Sequence, residues 1–246
     1  MFKEYLVLSA RDQDRHVECQ DYVIHRHAPA VMSHRAFRGL FQRYVAHRPF
    51  SIGADPSELL LHGSRSDIPL IVEHVCDDAS TFRKALQDED HQAAIRPDEE
   101  YIAREFLSAP PMVMEVTESV IFSGPYVGRY HVLDFLKRAP GTSPDDFASW
   151  LDEEGRILAG TPAFRSVASR CVHNLVHQDE AVYAEDGGTG ASTGREWDGV
   201  TETWTNSLDG LARLHSEVRT RHAGRVDATA SFSVITTEHV LIGERS

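Results

Sequence analysis

The residues in this 246-residue chain whose types and spacing could do chemistry begin with the histidines of Cys19-Gln20-Asp21-Tyr22-Val23-Ile24-His25-Arg26-His27-Ala28-Pro29. Val17, Tyr22 and Ile24 supply an apolar side to this stretch, while Asp21, His25 and Arg26 suit water, the pattern of an amphipathic helix. Pro29 disfavours helical dihedrals at Ala28, so the helix is expected to end near His27. An imidazole at that end would meet the negative pole of the helix dipole, which favours its protonated form. Such a group gives and takes protons near neutral pH. The same position also suits a histidine that only bonds the last carbonyls of the helix.

His74 is the second candidate. It follows Glu73 in Ile68-Pro69-Leu70-Ile71-Val72-Glu73-His74-Val75, an apolar run that reads as a strand with proline tolerated at its start. Neighbours on a strand point to opposite faces, so one of the two faces any covering helices and the other the far side of the sheet. A buried imidazole or carboxylate there needs a partner, and such groups often have shifted pKa values at sites. A hydrogen-bonded core histidine and a proton-transfer group are equally open readings of His74. Glu202 repeats the setting of Glu73 in Val200-Thr201-Glu202-Thr203-Trp204, which favours a structural role for that carboxylate.

Other chemistries find less support. His173 and His177 lie four apart on a strand-like run, a spacing that separates them rather than joining them on a metal, and there is no HExxH. No metal is expected. Gly187-Gly188-Thr189-Gly190 follows a strand without opening a helix, so it is no phosphate loop, and no GxSxG elbow is present. Cys19, Cys76 and Cys171 are far apart and form neither a disulfide framework nor a zinc cluster, which suits a reducing cytoplasm. With no cofactor motif, the chain points to cofactor-independent acid–base chemistry. Its net charge of −13 opposes binding to nucleic acid or to an anionic membrane, and no apolar run reaches the roughly 18 residues of a membrane span. A cytoplasmic protein acting on a small molecule is the expectation.

The elements that must position these residues come in a repeating order. Tyr5–Ser9 reads as a strand, the helix runs to His27, and Ala36–Val45 and Ile68–Val75 read as the next two strands. A helix opens at Asp77-Asp78, Asp98–Tyr101 is a short helical stretch, and Met112–Phe122 is the fourth strand. After Gly124-Pro125 the series begins again: strand His131–Leu136, helix Asp145–Leu158, strand Arg165–His177, strand Trp197–Thr205, a helix marked by Leu208, Leu211, Leu214 and Val218, and strand Ser231–Ile242. Both halves thus read β-α-β-β-α-β, the split βαβ or ferredoxin-like arrangement of an α+β protein, with domains at residues 1–125 and 126–246. The glycine-rich loop Ala184–Arg195 is expected to be mobile.

An aromatic residue followed four positions later by His-Ala-Pro, here Tyr22 and His27-Ala28-Pro29, resembles the end of the first helix in EthD-type domains. Asp198–Trp204 leading into Ser207-Leu208, and Gly141–Trp150, are similar to further EthD segments, so the resemblance covers nearly the whole chain as two tandem copies. It implies two ferredoxin-like sheets packed face to face as a pseudo-dimeric α/β barrel, with a ligand pocket between and beside them. His27 would be the general acid or base, His74 a second catalytic group, and Tyr22, Glu73 and Trp204 substrate contacts. The implied reaction is that of a lyase, dehydratase-like, or an isomerase acting on a small aromatic or polyketide-like compound. A cofactor-free monooxygenase and a non-catalytic binding or accessory protein are the alternatives, and a homodimer of the fused chain is compatible with all of them. In the second copy the place of His27 falls to Gly155, so one site at most is retained.

Overall fold

A computed structural model of the protein describes residues 1–50, 59–124, 128–177, 192–193 and 196–243. Ten strands are present among them: β1 (Phe2–Val7), β2 (Phe41–Pro49), β3 (Gly63–Ser64), β4 (Ile71–Cys76), β5 (Met112–Ser123), β6 (Tyr130–Leu136), β7 (Ala168–Val176), β8 (Ser192–Thr193), β9 (Gly199–Thr205) and β10 (Phe232–Ile242). The helices are α1 (His16–Tyr22), continued through a π-helical turn (Val23–His27) into α2 (Ala28–Ser33), then α3 (Ala79–Leu86), α4 (Glu89–Ala94), α5 (Arg96–Phe106), α6 (Pro144–Gly160), α7 (Pro162–Val167), α8 (Leu208–Ala212) and α9 (His215–His222). None of these helices is long and apolar enough to cross a membrane.

Each half carries the expected β-α-β-β-α-β order, with strands paired β5-β1-β4-β2 in the first and β10-β6-β9-β7 in the second. The halves close on each other, though not as two stacked sheets. β2 pairs antiparallel with β10 and β5 with β7, so the eight long strands form one continuous barrel. Edge pairing satisfies the backbone groups that two separate sheets would leave open, which is the physical reason for the difference. Tyr5, Val7, Ile71 and Met114 of one half share an interior apolar cluster with Leu133, Phe135, Val200 and Phe232 of the other.

Several boundaries also move: β4 starts at Ile71 rather than Ile68, and β7 at Ala168 rather than Arg165, because α7 holds Pro162–Val167. β2 starts at Phe41 rather than Ala36, because Gly39 takes a positive φ of 76° and carries the chain through a turn before pairing begins opposite Cys76. The first helix does not stop at His27. It passes through Pro29 because the π turn widens the backbone there, the Ala28 N–H reaching the Val23 carbonyl five residues back, and proline in the first turn of α2 needs no donor. His27 therefore lies within a helical run, and its expected setting at a helix C-terminus is not found. The loop Ala184–Arg195 lies outside the described residues except for the two of β8.

The helices cover the outer face of the barrel. Against the second half they bury His62, His173 and His222, with the His62 and His222 rings stacked at 5.7 Å and Trp150 edge-on to His222 at 5.0 Å. Burial depresses all three imidazoles, His62 and His173 to about 4 and His222 to about 3. An unfolded histidine titrates at about 6.5, so between those values the unfolded chain binds more protons and stability rises with pH. The urea midpoint should accordingly fall by the equivalent of several kcal/mol between pH 6.5 and 5, above most of the carboxylate range. A flat midpoint across that window would show these imidazoles to be solvated.

Candidate functional site

The helices of the first half stand off the sheet and leave a cavity of about 460 Å³ against its outer face. Its walls are apolar, from Leu6, Val23, Val31, Phe41, Val72 and Phe82 among others, and the exposed side chains of Arg11, Glu100 and Arg104 stand at its rim. Both proposed histidines line it. The two-residue period of β4 decides which of Glu73 and His74 does so: His74 faces the cavity, and Glu73 faces the barrel interior.

His27 reaches the cavity from the π turn. Its Nδ1 lies 2.8 Å from Oδ2 of Asp98 on α5, and the Tyr22 hydroxyl donates to the other oxygen of that carboxylate at 2.5 Å. The hydrogen bond from His27 holds Asp98 below the usual carboxylate range in spite of its partial burial, and that from Tyr22 adds to it. The bond to Asp98 in turn raises the Tyr22 phenol to about 12. An ionised Asp98 can only accept, so the His27 proton belongs on Nδ1 and Nε2 is left as the basic atom. Tyr22 acts on the imidazole through Asp98.

His74 repeats this arrangement. Its Nδ1 is 2.8 Å from Oε1 of Glu4, the residue opposite it on β1, and its buried Nε2 has no hydrogen-bond partner. Tyr44 stands edge-on to the ring at 4.5 Å and Phe41 lies at 4.9 Å, which fixes its plane. A third polar group, Glu99, is half-buried in the cavity wall. Burial works to raise its pKa, but the contacts from His91 and Arg96 prevail and keep it below its ordinary value. The arrangement is two imidazoles, each oriented by a carboxylate, facing one apolar space.

Glu73 and Trp204, expected as substrate contacts, are placed on the other side of the sheet. Glu73 is fully buried beside Lys3, Arg43 and His47, and Trp204 stacks on His131 at 4.1 Å while donating to Glu238. Asp98, Glu4 and Glu99 were not singled out by the sequence. Asp98 and Glu99 sit in the stretch read as helical, but Glu4 becomes visible only once strand register sets it opposite His74.

Among the described residues, the second half has no equivalent site. Register places Val132 and Thr203 where the first half has Glu4 and His74. Gly155, at the position matched to His27, packs closely: a Cβ there would meet Ile121 Cδ1 at 2.6 Å and His173 Nδ1 at 3.3 Å, so a larger side chain has to displace Ile121. The space between helices and sheet shrinks to about 40 Å³.

The EthD domain family matches residues 15–104, the interval that holds Tyr22, His27, His74, Asp98 and Glu99. Among solved structures, an anthrone oxidase-like protein aligns over 100% of this chain and 95% of its own, with a TM-score of 0.60 at 12% identity. A candidate monooxygenase from Fusobacterium nucleatum subsp. nucleatum aligns over 100% and 96%, with a TM-score of 0.56 at 7% identity. A candidate chlorite dismutase aligns over 97% and 96%, with a TM-score of 0.52 at 10% identity. Identities this low speak to fold alone. No curated protein sequence matches the chain. The sequence match and the closed eight-stranded sheet together give the conclusion: residues 15–104 match the EthD domain, and the chain has the dimeric α/β-barrel fold, its barrel closed within a single chain.

Proposed function

We propose that the cavity of the first half binds a small aromatic or polyketide-like compound, and that His27 and His74 move protons on it without a cofactor, in a dehydratase-like lyase or isomerase reaction. One observation carries this reading: two imidazoles with carboxylate-fixed Nδ1 atoms line the same apolar cavity. One can take a proton from an activated carbon or hydroxyl while the other, once charged, returns a proton elsewhere on the ligand. The apolar walls suit a flat ring system, and the excess of acidic over basic residues keeps nucleic acid and anionic membranes from the list of partners. On the same reading, residues 1–125 and 126–246 are two EthD-like units of which the first kept the site.

The test is solvent deuterium exchange into activated C–H positions of a panel of hydroxylated aromatic ketones, followed by NMR with an oxygen electrode in parallel. Exchange or product formation without oxygen uptake supports the lyase or isomerase reading. Oxygen uptake on the same compounds would favour a cofactor-free monooxygenase; two similar structures carry the names anthrone oxidase-like protein and monooxygenase. Binding with neither outcome would leave a carrier or accessory role.

The cavity itself can be tested apart from the chemistry. Val31 on α2 is buried in its wall, and Val31→Trp fills space that water or ligand would otherwise take. Ligand affinity should fall at least about tenfold while the melting temperature holds or rises, as cavity filling usually allows. Unchanged affinity would place the ligand elsewhere.

A further inference from the structure

Inside the barrel, Lys3 centres a charged layer whose groups pair with one another. The outer face of the first sheet, which floors the cavity, is built differently. There register sets three polar side chains in a row across neighbouring strands: Glu4 on β1, His74 on β4 and Tyr44 on β2. Side chains directly opposite one another on adjacent strands share a face, so all three point towards the helices. Glu4 meets the His74 Nδ1 at 2.8 Å, and Tyr44 stands edge-on to the same ring at 4.5 Å.

Tyr44 is the member of this row left without a polar partner. It is 2% exposed and lines the cavity, yet among the described residues nothing hydrogen-bonds its hydroxyl. The oxygen is not sealed in by packing either, so the space it opens onto is the cavity. A buried hydroxyl without a bond costs free energy that a bound acceptor recovers. Phe41, 5.2 Å away, and the His74 ring fix the plane of the phenol. Burial first, then the charges of Glu99 and Glu4, push its pKa up, so the group stays protonated and donates.

The other polar groups of the cavity are acceptors or already committed. The Nδ1 atoms of His27 and His74 are engaged by Asp98 and Glu4, and Glu99 is ionised and only accepts. Ser108, the only other hydroxyl among the described lining residues, donates to the Ser9 carbonyl. In the second half the three register positions of the row hold Val132, Thr203 and Cys171, and the space over them is the one of about 40 Å³. The row is polar only where the large cavity lies.

We propose that Tyr44 is a further catalytic residue of this site, and that its hydroxyl donates to the carbonyl oxygen of an aryl ketone. The assignment rests on the reading of the cavity as a site of proton transfer. A lone donor beside a base, in apolar walls, suits a carbonyl whose neighbouring carbon carries the proton to be moved. When an imidazole takes that proton, the C–H bond breaks, its electron pair forms the C=C bond of an enolate, and the C=O pair moves onto oxygen. The hydrogen bond from Tyr44 strengthens as that charge develops, and no oxidant or reductant is consumed. The proton then returns to carbon, or to a departing hydroxyl that leaves as water.

The full-length protein is titrated with 2-acetonaphthone and with 2-isopropenylnaphthalene, which carries a CH2 group in place of the carbonyl oxygen. Tyr44→Phe should weaken the ketone about tenfold and leave the hydrocarbon nearly unchanged. The infrared band of the carbonyl-13C ketone should lie lower in wild type than in Tyr44→Phe. It should move lower still when tyrosine is replaced throughout by 3-fluorotyrosine, a stronger donor, and that shift decides should Tyr44→Phe fail to fold. On any ketone that exchanges, Tyr44→Phe should slow exchange by roughly two to three orders of magnitude, more than it weakens binding. Absent exchange with the band shifts intact would overturn the proton-transfer reading while upholding the ketone subsite at Tyr44. Equal ketone affinity with an unmoved band in Tyr44→Phe, exchange at the wild-type rate, or no binding of either compound would each overturn the assignment of Tyr44.

Discussion

His27→Gln is expected to lower turnover by roughly two to four orders of magnitude on any compound that the deuterium-exchange screen identifies, the usual weight of a general acid or base. Glutamine keeps a hydrogen bond to Asp98 but cannot cycle a proton at neutral pH. The fold should barely notice: the side chain is partly exposed, and the bond to Asp98 is worth about 1 kcal/mol. Asp98→Asn separates orientation from proton transfer. An amide facing Nδ1 can donate, which would move the imidazole proton to Nε2 and block the atom that faces the cavity. Its loss should approach that of His27→Gln while binding is kept, whereas Tyr22→Phe, which removes only one of two bonds to Asp98, should cost far less. Unchanged turnover in both His27→Gln and Asp98→Asn would move the chemistry to His74, and the companion change His74→Gln would then carry the loss.

The parts of this site that the sequence discloses are those set by short-range rules. The amphipathic period around Tyr22 and His27 and the alternation at Glu73-His74 both follow from side-chain direction along one element. Even so, alternation alone leaves two solutions, and only the position of the helices selects His74 for the cavity and Glu73 for the barrel. The π turn escapes a reading by proline rules, because Pro29 ends an ordinary helix but not one whose preceding turn is already widened. The carboxylates that orient the histidines lie about seventy residues away in sequence, Glu4 from His74 and Asp98 from His27. Such pairings depend on register and helix packing, which no local pattern encodes. Trp204 shows the same limit from the other side. Its place after Glu202 on a strand is legible, but facing inward or outward depends on the edge pairing that turned two sheets into one barrel.

Lys3→Met should produce the largest loss of stability. The ammonium is 1% exposed and lies 2.5 Å from Glu118, 2.8 Å from Glu202 and 3.9 Å from Glu73, so one cation from β1 holds carboxylates from β4, β5 and β9. Burial works against its charge, but the three carboxylates outweigh it and raise its pKa, and Lys3 is in turn the main favourable influence on Glu202, which is held well below its ordinary value. Methionine fills a similar volume and removes the cation nearest to Glu118 and Glu202, while Arg43 stays 3.3 Å from Glu73. Breaking a buried pair from one side costs about 3–5 kcal/mol, here a melting temperature lower by roughly 10 °C or more. The pH dependence of the difference identifies the cause. In the wild type Glu73 and Glu202 stay ionised well below the pKa of an unfolded glutamate, so their contribution persists until the pH falls through their low folded values. In Lys3→Met burial drives the folded pKa of Glu202 upward, and the penalty should shrink as the pH falls from 7 to 5 and the carboxylate takes up a proton. Imidazole titration is common to both chains and cancels in the comparison. Lys3→Met with Glu202→Gln should recover part of the loss, because the uncompensated charge is then reduced. A cost below about 1 kcal/mol that does not vary with pH would mean that water reaches these carboxylates and that the charged layer does not hold the two halves together.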